Sequence, residues 1–338
     1  MSNEISRKRL GLAALATIAL AAGAAIAQQA APDVAPIWAW GFTTPAPTPP
    51  PAGTPRDTVA KYSVPGSKAS YTEAEANFGF GPADWFPEDH PAMPEIVAHG
   101  RQAANIQACS LCHMPNGFGR QENANVSGLP REYFLQTLAD FKAGNRTTSD
   151  KRKTNTATMS NIAKNMTDEE LRQATDYFTA IKVTPWVKVV EATSVPKMRS
   201  AGGILLPLTG DEAGTEPLGA RIIETPQDPI QTEKWRNSHS GFVAYVPPGA
   251  VKRGEALATT GDGGRFTACV ACHGGDLKGL GPIPPIAGRS PSYLVRQLYD
   301  MQHGNRTGAW TTLMAPVVAK LTPDDLIALA AYAASLTP

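Results

Sequence analysis

Cys109-Ser110-Leu111-Cys112-His113 and Cys269-Val270-Ala271-Cys272-His273 are two copies of one five-residue phrase, and together they use all four cysteines of the 338-residue chain. On a helical turn, positions i, i+3 and i+4 share one face. Two thiols so placed reach the two vinyl groups along one edge of a haem, while the imidazole reaches the iron from below. C-x-x-C-H is accordingly the pattern of covalent c-type haem attachment. Cys109, Cys112, His113, Cys269, Cys272 and His273 are expected to bind two haem c groups, with His113 and His273 as proximal iron ligands. Two other readings of the cysteines compete. A zinc site made of four thiolates does not need a histidine directly after each second cysteine. A thioredoxin-like redox pair needs a strand before it, and neither phrase has a strand pattern there.

The N-terminus supports attachment outside the cytoplasm. Arg7, Lys8 and Arg9 precede an apolar run from Leu10 to Ala27 that ends Ala25-Ile26-Ala27. That is the pattern of a secretory signal peptide over residues 1–27, which implies export to the periplasm. Membrane association is expected only if this segment stays uncleaved. The chain has 31 Lys+Arg and 30 Asp+Glu. Removing residues 1–27 takes away three basic residues and one acidic residue, leaving 28 and 29. This near-balance argues against nucleic acid as a partner.

Residues 28–93 read as a Pro-rich spacer followed by an irregular aromatic segment over the first domain, with Trp38 and Trp40 free to touch a partner or a membrane. An internal repeat follows. Tyr133 and Tyr293 keep the 160-residue offset of the two phrases, as do Gly144-Asn145-Arg146 and Gly304-Asn305-Arg306. The frame then shifts to 155, because the first copy carries five extra residues between its arginine and its methionine. The stretch holding them, Thr147 to Thr158, reads as a solvated basic loop. Apolar spacing predicts a helix from Tyr133 to a Gly144 C-cap, and another from Tyr293 to Gly304. Thr167 with Glu170 forms a capping box for a helix from Asp168 to about Ile181. Thr322 with Pro323 opens the matching helix to about Leu336. Between the copies, 187–191, 221–224 and 241–246 look like short strands.

The fold class is thus mainly α. Two helical haem domains, 94–184 and 249–338, are joined by an irregular segment, 185–248, with a few short strands. For the sixth iron ligand, none of His90, His99, His239 and His303 recurs in both copies. Met159 and Met314 do recur, each seven residues before the equivalent start of the last helix, and each in a Thr-rich loop with no obvious core role. Thioether ligation favours reduced iron and raises the potential. Arg146 and Arg306 end matching helices, and an arginine there can pair with a haem propionate in bidentate fashion. Ordinary solvent exposure is the competing expectation. Trp310 could pack near the second haem.

The repeated order of C-x-x-C-H, a Tyr-led helix ending Gly-x-Arg, a methionine and a Thr-capped acidic helix resembles the tandem dihaem cytochromes c of the c4-like type. The matching strings are Gln136 to Phe141 with Gly144-Asn145-Arg146, Gln297 to Met301 with Gly304-Asn305-Arg306, and Met314 to Asp325. The resemblance implies two class I cytochrome c folds, His/Met haems and periplasmic electron transfer. The chain departs from the pattern in two places. Pro285-Ile286-Ala287-Gly288 carries the proline usual after the motif, whereas the first copy has Asn125-Val126-Ser127-Gly128. Some sixty residues separate the copies where the family has a short linker. The expected function is single-electron relay between a donor and an acceptor redox protein. A cytochrome subunit of a dehydrogenase or oxidase complex, or a dihaem peroxidase-like enzyme, is the alternative.

Overall fold

A computed structural model describes residues 35–43 and 55–338. The signal-peptide reading of residues 1–27 and the Pro-rich run 44–51 lie outside the described residues. Among the described residues before the first attachment turn, the α-helices are single turns, α1 (Glu73–Ala76) and α2 (Glu95–Ala98), beside three short 3-10 helices. The turn itself is α3 (Cys109–His113), and α4 (Arg131–Ala143), α5 (Asn155–Asn165) and α6 (Asp168–Ala180) follow. Beyond the inserted strands come α7 (Pro229–Glu233), α8 (Ala250–Gly264), α9 (Val270–His273), α10 (Pro291–Gln302), α11 (Thr311–Val318) and α12 (Pro323–Ser335).

The helix ends follow the local chemistry. Gly144 takes φ 79° and caps α4, where its amide reaches back to the carbonyls of Asp140 and Phe141. Thr167 and Glu170 form the expected capping box on α6. Thr322 and Asp325 form its counterpart on α12, with Pro323 at the first position. Each box satisfies two amides that the helix start would leave unpaired. The apolar face of α12 packs on α8 and α10. At the α8 crossing, a Cβ on Gly254 would lie 1.9 Å from the carbonyl oxygen of Ala328, so only glycine fits. In the first copy, α4, α5 and α6 enclose a separate core of Ile96, Phe134, Leu138, Ile162, Tyr177 and Phe178.

The insertion is more ordered than its sequence implies. β1 (Val187–Glu191), β6 (Ile223–Pro226) and β7 (Phe242–Val246) form one sheet, with β7 parallel to β1 and antiparallel to β6. β6 starts two residues later than expected, because the Arg221 side chain turns back onto the Leu218 and Pro217 carbonyls. The strands between were not foreseen. β2 (Ser194–Pro196) pairs with β5 (Thr215–Pro217), and β3 (Met198–Ala201) pairs with β4 (Ile204–Pro207) through a Gly202-Gly203 turn. Both glycines have positive φ, as a two-residue hairpin turn demands.

Trp38 and Trp40 are not at the surface. They are 8% and 0% exposed and join the large core around α10 and α12. Trp40 Nε1 donates to Thr148 Oγ1 at 2.8 Å, and its ring meets Tyr299 edge-on. Burying an indole is more favourable than holding it in water, provided its polar tip finds a partner as Trp40 does here. Among the described residues no helix is long and apolar enough to cross a membrane.

Candidate haem-binding site

The two attachment turns are built alike. Ser110 Oγ anchors α3 by donating to the Val97 carbonyl at 2.8 Å. His113 Nδ1 lies 2.9 Å from the carbonyl oxygen of Ala124, and His273 Nδ1 lies 2.9 Å from that of Pro284. The acceptors keep the 160-residue offset. So do the amides of Gly119 and Gly279, each donating at 2.8 Å to its own histidine's carbonyl. A carbonyl can only accept, so each Nδ1 carries the ring proton and each Nε2 keeps a free lone pair. Burial holds both imidazoles below the ordinary histidine range, partly opposed by those carbonyl bonds. Both rings are therefore neutral near pH 7, as a metal ligand must be. No disulfide joins the four cysteines. Burial pushes Cys109 up to about 12 and Cys269 up to about 11.

A cavity of about 320 Å³ opens beside the first turn. Cys109, Cys112 and His113 line it with Phe134, Leu138 and Met159. Its polar end is made by both copies of the repeat, from Tyr133 and Arg146 of the first and Tyr293 and Arg306 of the second. The chamber thus joins two thiols, a neutral imidazole and a thioether around an apolar slot with a cationic end. That set could hold a porphyrin iron and the carboxylates at the ring's edge.

The cationic end is a junction of the two copies. Arg146 and Arg306 face each other across an isolated antiparallel bridge. The Thr147 amide donates to the Asn305 carbonyl at 2.6 Å, and the Thr307 amide donates to the Asn145 carbonyl at 2.7 Å. Gln297 Oε1 accepts from Arg146 Nη2 at 2.6 Å and from Arg306 Nη1 at 2.8 Å. Arg306 Nη2 also donates to the Tyr133 hydroxyl at 2.8 Å. Arg146 is buried, so the solvent-exposed alternative does not hold for it. Burial, then the like charge of Arg306, holds Arg146 below its ordinary value. Burial pushes the Tyr133 phenol up, but Arg306 and Arg146 outweigh it and hold it below its usual value. Two guanidiniums this close, with a neutral amide between them, favour an anion. Trp310, expected near the second haem, lies 6.0 Å from the Tyr133 ring of the first copy.

Both methionines sit in helices rather than loops, Met159 in α5 and Met314 in α11. Threonine's modest helix propensity suggests a loop in both stretches. Packing of Ile162 and Ala163 in one, and of Val318 in the other, overrides it. Met159 lines the cavity, and Met314 is half-buried against the core that includes Cys269. The stretch before Met159 is not a solvated loop either, since Thr148, Asp150 and Lys153 are buried.

Several features escaped the sequence. The insertion closes over the first attachment turn, with Asn116 Nδ2 donating to the Ser238 carbonyl at 3.0 Å and Phe118 packed on Trp186. At the second turn, Cys272 is exposed. Where the first copy lacks a proline, Asn125 is held by a buried arginine from the second copy, with Arg289 Nη1 donating to Asn125 Oδ1 at 2.7 Å. Only the unexplained Asn-Val-Ser-Gly string hinted at this. The buried ammonium of Lys153 also escaped the sequence.

A family profile described as Cytochrome c matches residues 251–337. The chain is 32% identical over 164 residues to a cytochrome c4 of Stutzerimonas stutzeri, covering 42% of this chain and 76% of that relative. The chain belongs to the cytochrome c4 family. As a cytochrome c4-like protein it is an electron-transfer protein that binds haem c covalently. The cytochrome c4-like chain is also 24% identical over 265 residues to a thiosulfate dehydrogenase electron acceptor of Thiomonas intermedia, covering 77% of this chain and 86% of that one. Among solved structures, a thiosulfate dehydrogenase of Marichromatium purpuratum aligns with a TM-score of 0.46 at 27% identity, covering 71% of this chain and 38% of that one.

Proposed function

We propose that this chain is a periplasmic dihaem cytochrome that relays single electrons between two redox proteins through two His/Met-ligated haems. The observation that carries the reading is the matched pair of histidines. Each gives its Nδ1 proton to a carbonyl at the repeat-equivalent position and leaves Nε2 for iron. Bound haem c supplies reversible one-electron chemistry. The chain's own residues hold the ring and tune it. Cys109, Cys112, Cys269 and Cys272 tether the two rings. Met159 and Met314 would supply thioether ligands to the irons. Tyr133, Tyr293, Arg146 and Arg306 provide donors for the carboxylates at the ring edges.

A second reading is that the chain accepts electrons from a periplasmic dehydrogenase, as its own subunit or docking partner. The Thiomonas intermedia relative, an electron acceptor of a thiosulfate dehydrogenase, supports it. Absorption spectra of Met159→Ala and Met314→Ala test the ligand assignment. Each variant is expected to lose the thioether-to-iron band of one haem and keep that of the other. A full-strength band in either variant removes that methionine from the iron.

A further inference from the structure

Lys153 lies in the stretch Thr147 to Thr158, which carries the five extra residues of the first copy, and the matching stretch of the second copy, Thr307 to Leu313, holds no lysine. It lines the first cavity, is 7% exposed, and its Nζ has no hydrogen-bond partner among the described residues. Three carboxylates are near enough to act on it, and each has its own partner. Glu122 holds Arg120 through Oε1 while its buried Oε2 takes no hydrogen bond, Asp150 holds Arg152, and Asp300 accepts from Ser149. Arg296 adds a repelling charge, and the balance of burial against these neighbours brings the ammonium down to about 7. An unpaired buried cation is strongly destabilising, so a site that keeps one has an anion to meet it.

The charge count of the cavity wall says which anion. Arg146, Lys153, Arg296 and Arg306 face Glu122 and Asp300, four cations against two carboxylates. The surplus of two positive charges matches the two propionates of one haem. Arg296 is spent on backbone, donating to the carbonyls of Ala39 and Gln121. Lys153 Nζ is the donor left over.

We propose that Lys153 pairs with a propionate of the first haem and so raises that haem's potential relative to a site without the charge. The inference rests on haem occupying the first cavity. A cation beside the ring opposes the extra positive charge of ferric iron and favours the ferrous form. A bound carboxylate also returns the lysine to its charged form.

Spectroelectrochemical titration of the full-length haem-loaded protein at pH 7 tests this, comparing wild type with Lys153→Met, Lys153→Gln and Lys153→Arg. Intact mass first counts the haems, which separates failure of the haem reading from failure of this proposal. In Lys153→Met and Lys153→Gln, one of the two redox waves is expected to fall by tenfold or more in its one-electron equilibrium constant, about 59 mV. The other wave stays, and Lys153→Arg restores the first. If the uncharged variants do not load the first haem but Lys153→Arg does, the charge is again what the site requires. Uncharged variants with both haems and neither wave moved more than about twofold overturn the proposal. So does Lys153→Arg behaving like Lys153→Met.

Discussion

Replacing Arg289 with methionine should loosen the first haem site from a position in the second copy of the repeat. Arg289 is 4% exposed, and burial brings its guanidinium down to about 10, so it stays charged at neutral pH. Its two short charge-assisted bonds run from Nη1 to Asn125 Oδ1 at 2.7 Å and from Nη2 to the Ser127 carbonyl at 3.0 Å, beside a long one from Nη1 to the Asn125 carbonyl at 3.5 Å. At roughly 1.5–3 kcal/mol each, they suggest a gross contribution of about 3–6 kcal/mol. Desolvating the guanidinium takes back several kcal/mol of that. Methionine fills most of the space without the charge. Asn125 Oδ1 then keeps the Ser127 amide at 3.1 Å and the Ser127 hydroxyl at 2.6 Å. The Ser127 carbonyl loses its donor, at about 1–3 kcal/mol. The net expectation, about 2 kcal/mol lost, is read by guanidinium chloride unfolding followed through haem absorbance. Because Ala124, which fixes His113, adjoins Asn125, the spectral change belongs to the first haem. A double-mutant cycle with Asn125→Ala should return a coupling of at least about 1 kcal/mol. A loss under about 0.5 kcal/mol, the level of an ordinary surface change, or a disturbance confined to the second haem, refutes the reasoning.

Further outcomes follow from other contacts. Gly254→Val places carbon against the Ala328 backbone at the α8–α12 crossing. Backbone cannot yield as a side chain can, so unfolding stability should drop by about 3 kcal/mol or more. Burial pushes Asp325 up, but the Thr322 amide and the Arg265 guanidinium outweigh it and hold its carboxyl below the ordinary value. The native state then binds fewer protons than the unfolded chain, so this stabilisation is full above about pH 4 and is lost as pH falls through the native value. Asp325→Asn should flatten the acid limb of the stability curve and cost about 1–2 kcal/mol near pH 7, reduced by the partial exposure of Arg253 and Arg265. Trp40→Ala should cost about 3–5 kcal/mol and expose Thr148, as read by thermal unfolding.

The legible parts of this chain were those with local physical causes. C-x-x-C-H, the Thr167 and Thr322 capping boxes and the Gly144 cap are set by neighbours a few residues apart, and their spacing is visible in a single sequence. Met159 and Met314 were legible as a repeated pair but not as helical residues, because local threonine content points one way and distant packing the other. The junction of Arg146 with Arg306 was invisible. It depends on two segments 160 residues apart meeting edge to edge. The burial of Trp38, Trp40 and Lys153 has the same origin. Composition marks the first two as a loose spacer and the third as surface, and only the tertiary arrangement supplies the walls that enclose them. Residues 185–247 read as filler because their strands are three to five residues long. Their role is geometric, as a cover over the first attachment turn.

The most direct test is the intact mass of the purified full-length protein, compared with Cys109→Ala/Cys112→Ala and Cys269→Ala/Cys272→Ala. Two covalent haems are expected in the wild type and one in each double variant. A wild-type mass carrying fewer than two haems, or a double variant that keeps both, contradicts the dihaem reading.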